Sequence, residues 1–219
     1  MLALFRCVSL ALLLCSLASC GYRSQALRSA VDVFAGSDSS PVTTSLNPSI
    51  RYLRVSINGR VLLLALGYID ADKFGPIEVW YSANGEVLRL QNGHVVGLTG
   101  TDSEWRQVRF SALPAWPTSI AAAGPVTYTR TRDLMPGYHF GMVDKLTLLP
   151  TPAPVKSSLV ALNPANLHWF VEVVEGAKFL DAHFAVANTK KGNVAVYGEQ
   201  CISAELCLTW QRWPVKSRL

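Results

Sequence analysis

From residue 51 onward, apolar and polar positions come in short blocks separated by turn residues. Three Asn-Gly dipeptides, Asn58-Gly59, Asn84-Gly85 and Asn92-Gly93, each lie between apolar or alternating runs. Asn and Gly both tolerate positive φ, which two-residue hairpin turns of the primed type demand. The pattern predicts a meander with strands over 51–57, 60–69, 77–83, 86–91 and 94–98. Further strands are expected over 126–132, 138–148, 155–162, 168–174, 183–187, 194–199 and 206–211. The Pro-Thr-Pro-Ala-Pro run at 150–154 separates two of them and cannot donate to a sheet ladder. Residues 111–125 carry Pro114, Pro117, Pro125 and an Ala triplet, and read as a crossing between two halves. Residues 60–69 are apolar on both faces, so something must cover each side of that strand. Upstream, Leu27, Ala30, Val31 and Phe34 form one apolar stripe at helical spacing, with Ser24 to cap it and Gly36 to end it. The fold class expected is all-β: an antiparallel meander barrel with the short N-terminal helix laid outside, or a two-layer sandwich.

Composition narrows the class without naming a function. Half of the 219 residues are hydrophobic and 16% are charged, which excludes a largely disordered chain. A folded chain of this size hides roughly 70% of the surface that its unfolded form exposes.

The first residues read as an address. Arg6 gives a short positive start, and residues 7–14 are apolar but for one serine. That run is too short for a bilayer, which takes about 20 apolar residues, and has the layout of a secretory signal peptide. It ends in Leu17-Ala18-Ser19-Cys20, which resembles a bacterial lipobox: small residues before a cysteine that is acylated and becomes the first residue after cleavage. Each buried acyl CH₂ adds about 0.8 kcal/mol of membrane affinity, so several chains on one residue make a durable anchor. The alternative is an ordinary signal peptide with a chance cysteine near its end. Residue 21 is Gly rather than the Asp that favours inner-membrane retention, so by the same resemblance the expected place is the bacterial outer membrane, lipid-anchored and periplasm-facing. The division expected is a removed signal over 1–19, an anchor, helix and Ser/Thr/Pro-rich tether over 20–48, and one β domain over 49–219. Removing residues 1–19 takes away one charge, Arg6, and lowers the formal charge from +5 to +4.

Of five cysteines, Cys7 and Cys15 leave with the signal and Cys20 is acylated. Cys201 and Cys207 remain, and in an oxidising compartment they are expected to form a disulfide. A hairpin with its turn near 203–205 sets them opposite each other.

The stretch 51–100, with its aromatic Val79-Trp80-Tyr81 strand and Asn84-Gly-Glu-Val-Leu-Arg-Leu-Gln-Asn-Gly-His-Val-Val96, resembles the YjbF/GfcB (YmcC) family of outer-membrane lipoproteins. Tyr128-Thr129-Arg130 matches that family's aromatic-Thr-Arg segment, and Lys191-Gly192-Asn193-Val194 also fits. The resemblance implies a lipid-anchored antiparallel β domain in the periplasm, encoded with machinery for capsule or exopolysaccharide production and export. It implies no enzymatic activity, no cofactor and no catalytic residues. The partners expected are the outer membrane through acyl chains, and an anionic polysaccharide or polysaccharide-export proteins; nucleic acid is not expected. The competing reading is a lipid- or lipoprotein-handling barrel whose apolar interior holds acyl chains.

Local chemistry adds little. The four histidines, His94, His139, His168 and His183, have no metal-ligand spacing and read as partly exposed sheet residues; no metal is expected. Tyr68-Ile-Asp-Ala-Asp72 lacks the Gly and terminal Glu of a calcium loop and reads as a polar turn. No Gly-x-Ser-x-Gly elbow and no phosphate loop occurs. A glycosidase pair leaves no local signature, because its carboxylates lie far apart along a chain. The candidate ligand-binding residues are Arg130, Arg132, Trp210 and Trp213. On a strand, Tyr128, Arg130 and Arg132 share a face. If that face is internal, Arg130 needs a partner, and Glu172 or Glu78 could supply one. The functional reading is an arginine gripping an anionic sugar at a barrel mouth. Trp210 and Trp213, near Arg212 and Lys216, are the best surface tryptophans for stacking on sugar rings.

Overall fold

The computed structural model describes residues 46–117, 124–177, 181–190 and 192–215. The expected signal, the Cys20 anchor and the helix at 24–35 lie outside the described residues. Twelve strands follow in order: β1 (Tyr52–Ile57), β2 (Arg60–Asp70), β3 (Ile77–Tyr81), β4 (Val87–Gln91), β5 (His94–Thr99), β6 (Glu104–Phe110), β7 (Val126–Met135), β8 (His139–Thr151), β9 (His168–Val174), β10 (Ala182–Thr189), β11 (Gly192–Cys201) and β12 (Cys207–Trp213). Each pairs antiparallel with its neighbours in sequence, and β12 returns to β1, so the sheet closes into an up-and-down barrel. Closure removes the edge strands that an open sheet must protect. Of the two architectures expected, the barrel is the one formed.

Two of the Asn-Gly pairs turn as the sequence predicts. Asn58 and Gly59 have φ of 47° and 86°, and Asn92 and Gly93 have 49° and 88°. Positive φ at both central residues defines the turn whose twist matches that of paired strands. Asn84-Gly85 differs, with positive φ at Gly85 alone. There the Ser82 hydroxyl accepts from the backbone N–H groups of Asn84 and Glu86 and builds a wider loop. The polar turn read at 68–72 begins later than expected: Tyr68 to Asp70 still belong to β2, and the turn follows, where Asp72 accepts from the Phe74 N–H at 2.9 Å and from Gln91 Nε2 at 2.7 Å.

Two segments depart from expectation. β6 was not anticipated, and residues 155–162 are not a strand but irregular chain. The latter lies on the outer face of β9 to β12, where Leu159 and Leu162 pack with Trp169, Ala185 and Tyr197. It is fastened there by Val160 N–H to Gln211 Oε1 at 2.9 Å and by Gln211 Nε2 to the Val160 carbonyl at 2.7 Å.

The barrel interior is a filled core. Trp80, Trp105, Phe170, Phe184 and Trp210 are all at most 1% exposed and belong to one continuous cluster with the inward residues of the other strands. One end is closed by the β11–β12 turn, where Ile202 and Leu206 are buried and the Ile202 carbonyl accepts from Trp105 Nε1 at 3.0 Å. The other end is closed by residues 111–117 after β6. Trp116 is buried there and donates from Nε1 to the Asn92 carbonyl at 3.1 Å, while Asn92 Nδ2 donates to the Pro114 carbonyl at 3.2 Å.

Cys201 and Cys207 pair across β11 and β12 and are joined by a disulfide with a Cα–Cα distance of 3.9 Å. The closed loop is short, spanning a separation of six residues, so the stabilisation lies low in the usual range, at about 2 kcal/mol. Replacing both cysteines by serine is expected to lower the melting temperature by about 4–8 °C for a chain of this size. A thermal melt with an unchanged midpoint would show that the bridge adds no net stability.

Candidate functional site

The parity of β7 settles the direction of its arginines. Tyr128, Arg130 and Arg132 are buried, while Thr127, Thr129 and Thr131 alternate on the outer side. Two guanidiniums therefore enter an apolar interior, where an unpaired charge is costly. Arg130 Nε donates to Asp144 Oδ2 at 2.9 Å, and Arg130 Nη1 reaches Glu172 Oε1 at 3.4 Å. Arg132 grips Asp144 with two nitrogens, Nε at 2.7 Å and Nη2 at 3.2 Å. Asp144 stands directly across from Arg130 in the β7–β8 register, so adjacent strands supply the first pair. Glu172 comes from β9, two strands from β7, and is brought within reach by barrel closure.

The chain of contacts continues past Glu172. The Tyr128 hydroxyl donates to Glu172 Oε2. His94 Nδ1 lies 3.0 Å from the same oxygen, without the alignment of a full hydrogen bond. The His94 ring stacks on Trp116 at 5.2 Å and 3°, and meets Phe184, Phe110 and Tyr128 at other angles. At the opposite end, the Trp105 ring lies 4.5 Å from Arg130 Cζ and 5.5 Å from Arg132 Cζ, a cation–π cover for both guanidiniums. Arg130 Nη2 has no hydrogen-bond acceptor among the described residues.

Electrostatics follow from these partners. Burial alone would raise the Glu172 carboxyl, but the His94 imidazole, the Arg130 guanidinium and the Tyr128 hydroxyl outweigh it, and the net shift is downward. Burial, and then the Glu172 charge beside it, drives the Tyr128 hydroxyl far above its ordinary value. Glu172 is thus held as a carboxylate and Tyr128 as a neutral donor. Two guanidiniums face two carboxylates, so the cluster balances its own charge.

The residues singled out from sequence are placed as follows. Arg130 and Arg132 come together, but as an internal ion cluster rather than a grip at an open mouth. Glu172 is the partner of Arg130; Glu78 is instead held by Arg212, at 3.2 and 3.1 Å from its two Nη atoms. Trp210 is corrected from a surface residue to a core one, 1% exposed. It shares the inward parity of Leu208, and Gly198 on β11 makes the room: a Cβ there would sit 2.6 Å from the indole nitrogen. Trp213 is half-buried at the end of β12. His94, expected to be partly exposed, is 1% exposed at the centre of the aromatic cluster. Asp144, His94 and Trp105 were not connected with Arg130 from sequence. Among the described residues, no group of three or more His, Cys, Asp and Glu side chains could hold a metal ion. No described helix is long and apolar enough to cross a membrane.

Fold and interior define the chain as an up-and-down β-barrel with a packed core and buried ion pairs. The same fold occurs in a solved structure, the hypothetical lipoprotein YmcC from Escherichia coli, with a TM-score of 0.56, 15% identity, and coverage of 78% of this chain and 86% of that one. No family model matches the chain, and no curated protein matches it significantly. The likeness is one of fold, and it falls on the same group that the sequence resembles.

Proposed function

We propose that the chain is a non-enzymatic lipoprotein, acylated at Cys20, that holds its barrel on the periplasmic side of the bacterial outer membrane. There it supports capsule or exopolysaccharide production or export, by offering its outer surface to the polymer or to an export partner. The observation that carries this reading is the filled interior. A barrel that carries acyl chains needs an open apolar cavity, within the roughly 300–1,000 Å³ of ligand pockets. Here that space is occupied by tryptophans and phenylalanines and crossed by the Arg130–Glu172 cluster, and both ends are closed. The work is then left to the outside. The lipobox and the resemblance to a lipoprotein family support the anchoring.

Two measurements test the proposal together. Labelling with a palmitate analogue is expected to mark the wild-type chain and to miss a Cys20→Ala form. A deletion strain is expected to lose most of its surface polymer, with recovery from the wild-type gene and not from Cys20→Ala. An unmarked wild-type chain overturns the anchor. Unchanged polymer with disturbed lipoprotein sorting overturns the export role in favour of lipoprotein handling.

A further inference from the structure

The outer wall of the barrel carries a polar groove away from the ion cluster. Its floor is one cross-strand row: Ser56 on β1 pairs with Thr209 on β12, Thr209 with Glu199 on β11, and Glu199 with His183 on β10. Neighbouring strands are about 4.8 Å apart, so the row spans roughly 14 Å. Asn58 and Gly59, Asp181, Ser158 and the Cys201–Cys207 bridge complete a cleft of about 360 Å³. Its parts are held in place. Tyr197 donates from its hydroxyl to Glu199 Oε2 at 3.0 Å and accepts the Ser158 N–H at 3.0 Å, which ties the outer segment to the floor. Asp181 Oδ1 accepts the Val174 N–H at 3.1 Å. The remaining Glu199 oxygen faces His183 Nδ1 at 3.8 Å, too far for a hydrogen bond, and both side chains are partly open to solvent. The Ser56 and Thr209 hydroxyls make no side-chain hydrogen bond among the described residues.

These groups select a ligand class. Hydroxyls, a carboxylate and an imidazole in a row supply donors and acceptors in turn, the complement of a chain of hydroxyl groups. The common peptide-binding modes use a free sheet edge, an apolar helix groove or an aromatic-lined groove, and this closed wall presents none of them. Among the described residues, two carboxylates line the cleft and neither Lys nor Arg does, so a polymer rich in acid groups is disfavoured there. We infer that this groove binds a glycan segment built from neutral or amine-bearing sugars, lying across strands β10, β11, β12 and β1. The inference rests on the proposed surface role and names its site and sugar class. It moves the polymer contact from the arginines of β7 to the far side of the barrel.

The test uses the full chain in detergent micelles, titrated calorimetrically with hexamers of N-acetylglucosamine, of glucosamine and of guluronate. The first two are expected to bind, and the uronate at least tenfold more weakly. Glu199→Gln is expected to weaken the glucosamine hexamer at least tenfold and to narrow the gap to the uronate, with an unchanged thermal midpoint showing the fold intact. Thr209→Val is expected to weaken both favoured hexamers. Binding of none of the three, equal or tighter binding of the uronate, or unaltered binding by both variants overturns the inference. Lost surface polymer in the deletion strain with no hexamer bound sinks the groove alone. Normal polymer with a bound hexamer sinks the export role alone. Shorter oligomers appearing during titration would overturn the non-enzymatic reading, since Asp181 and Glu199 share the cleft.

Discussion

Replacing Glu172 by glutamine is expected to cost about 3–5 kcal/mol, a third or more of the stability of an ordinary domain. The size comes from what is left behind. Arg130 is fully buried, and its remaining carboxylate, Asp144, is already shared with Arg132. Two guanidiniums would then face one carboxylate inside an apolar barrel. Removing both partners of a buried pair is a different experiment. A Glu172→Leu, Arg130→Met double variant is expected to recover most of the loss, because well-packed apolar replacements of a buried pair are often neutral. The loss in the single variant also depends on pH. Glu172 has a folded value below its unfolded one, so its contribution is fully present above about pH 4.3 and is lost as pH falls through the folded value. Urea unfolding at pH 7 and at about pH 3, below the unfolded value, is therefore expected to show the deficit of Glu172→Gln shrinking toward acid. A deficit that is constant across that range, or smaller than 1 kcal/mol at pH 7, would show that the cluster is not held by this charge.

How much of this could be read from sequence differs by element. The Asn-Gly hairpins were legible because two adjacent residues with positive φ nearly dictate the turn and its register. β6 was missed because a register shift between Trp105 and Gln107 breaks its alternation: Arg106 and Gln107 are both exposed, and a period of two survives only over the four residues 107–110. Residues 155–162 misled in the opposite sense. Their apolar side chains cover the outside of the sheet rather than joining it, so hydrophobicity was right about burial at Leu159 and wrong about pairing. In the ion cluster, parity along β7 was enough to turn Arg130 inward with Tyr128, and the cost of an unpaired charge was enough to demand a carboxylate. The meeting of β5, β8 and β9 around it depends on barrel closure, which no local pattern encodes. Trp210 shows another limit: nearness to basic residues suggested a surface place, whereas its parity with Leu208 on β12 puts it in the core.

Trp116→Ala is the second large effect. Trp116 lies in no strand, yet it is 5% exposed and closes one end of the barrel. Its ring stacks on His94 and tilts against Phe170 at 5.2 Å and Phe184 at 5.3 Å. Truncating a buried tryptophan leaves a cavity with few atoms free to collapse into it, at a cost of about 3–5 kcal/mol. For a chain of this size that lowers the melting temperature by about 6–20 °C. Trp116→Phe keeps an aromatic face for His94 and loses the hydrogen bond to the Asn92 carbonyl, so about 1–2 kcal/mol is expected. Tryptophan does not titrate, so the Trp116→Ala deficit is expected to be much flatter with pH than that of Glu172→Gln. The two variants thereby separate packing from charge at neighbouring positions along one chain of contacts, Trp116 to His94 to Glu172. A Trp116→Ala chain within 0.5 kcal/mol of wild type would mean that residues 111–117 do not seal the barrel, and that its closed interior has another cause.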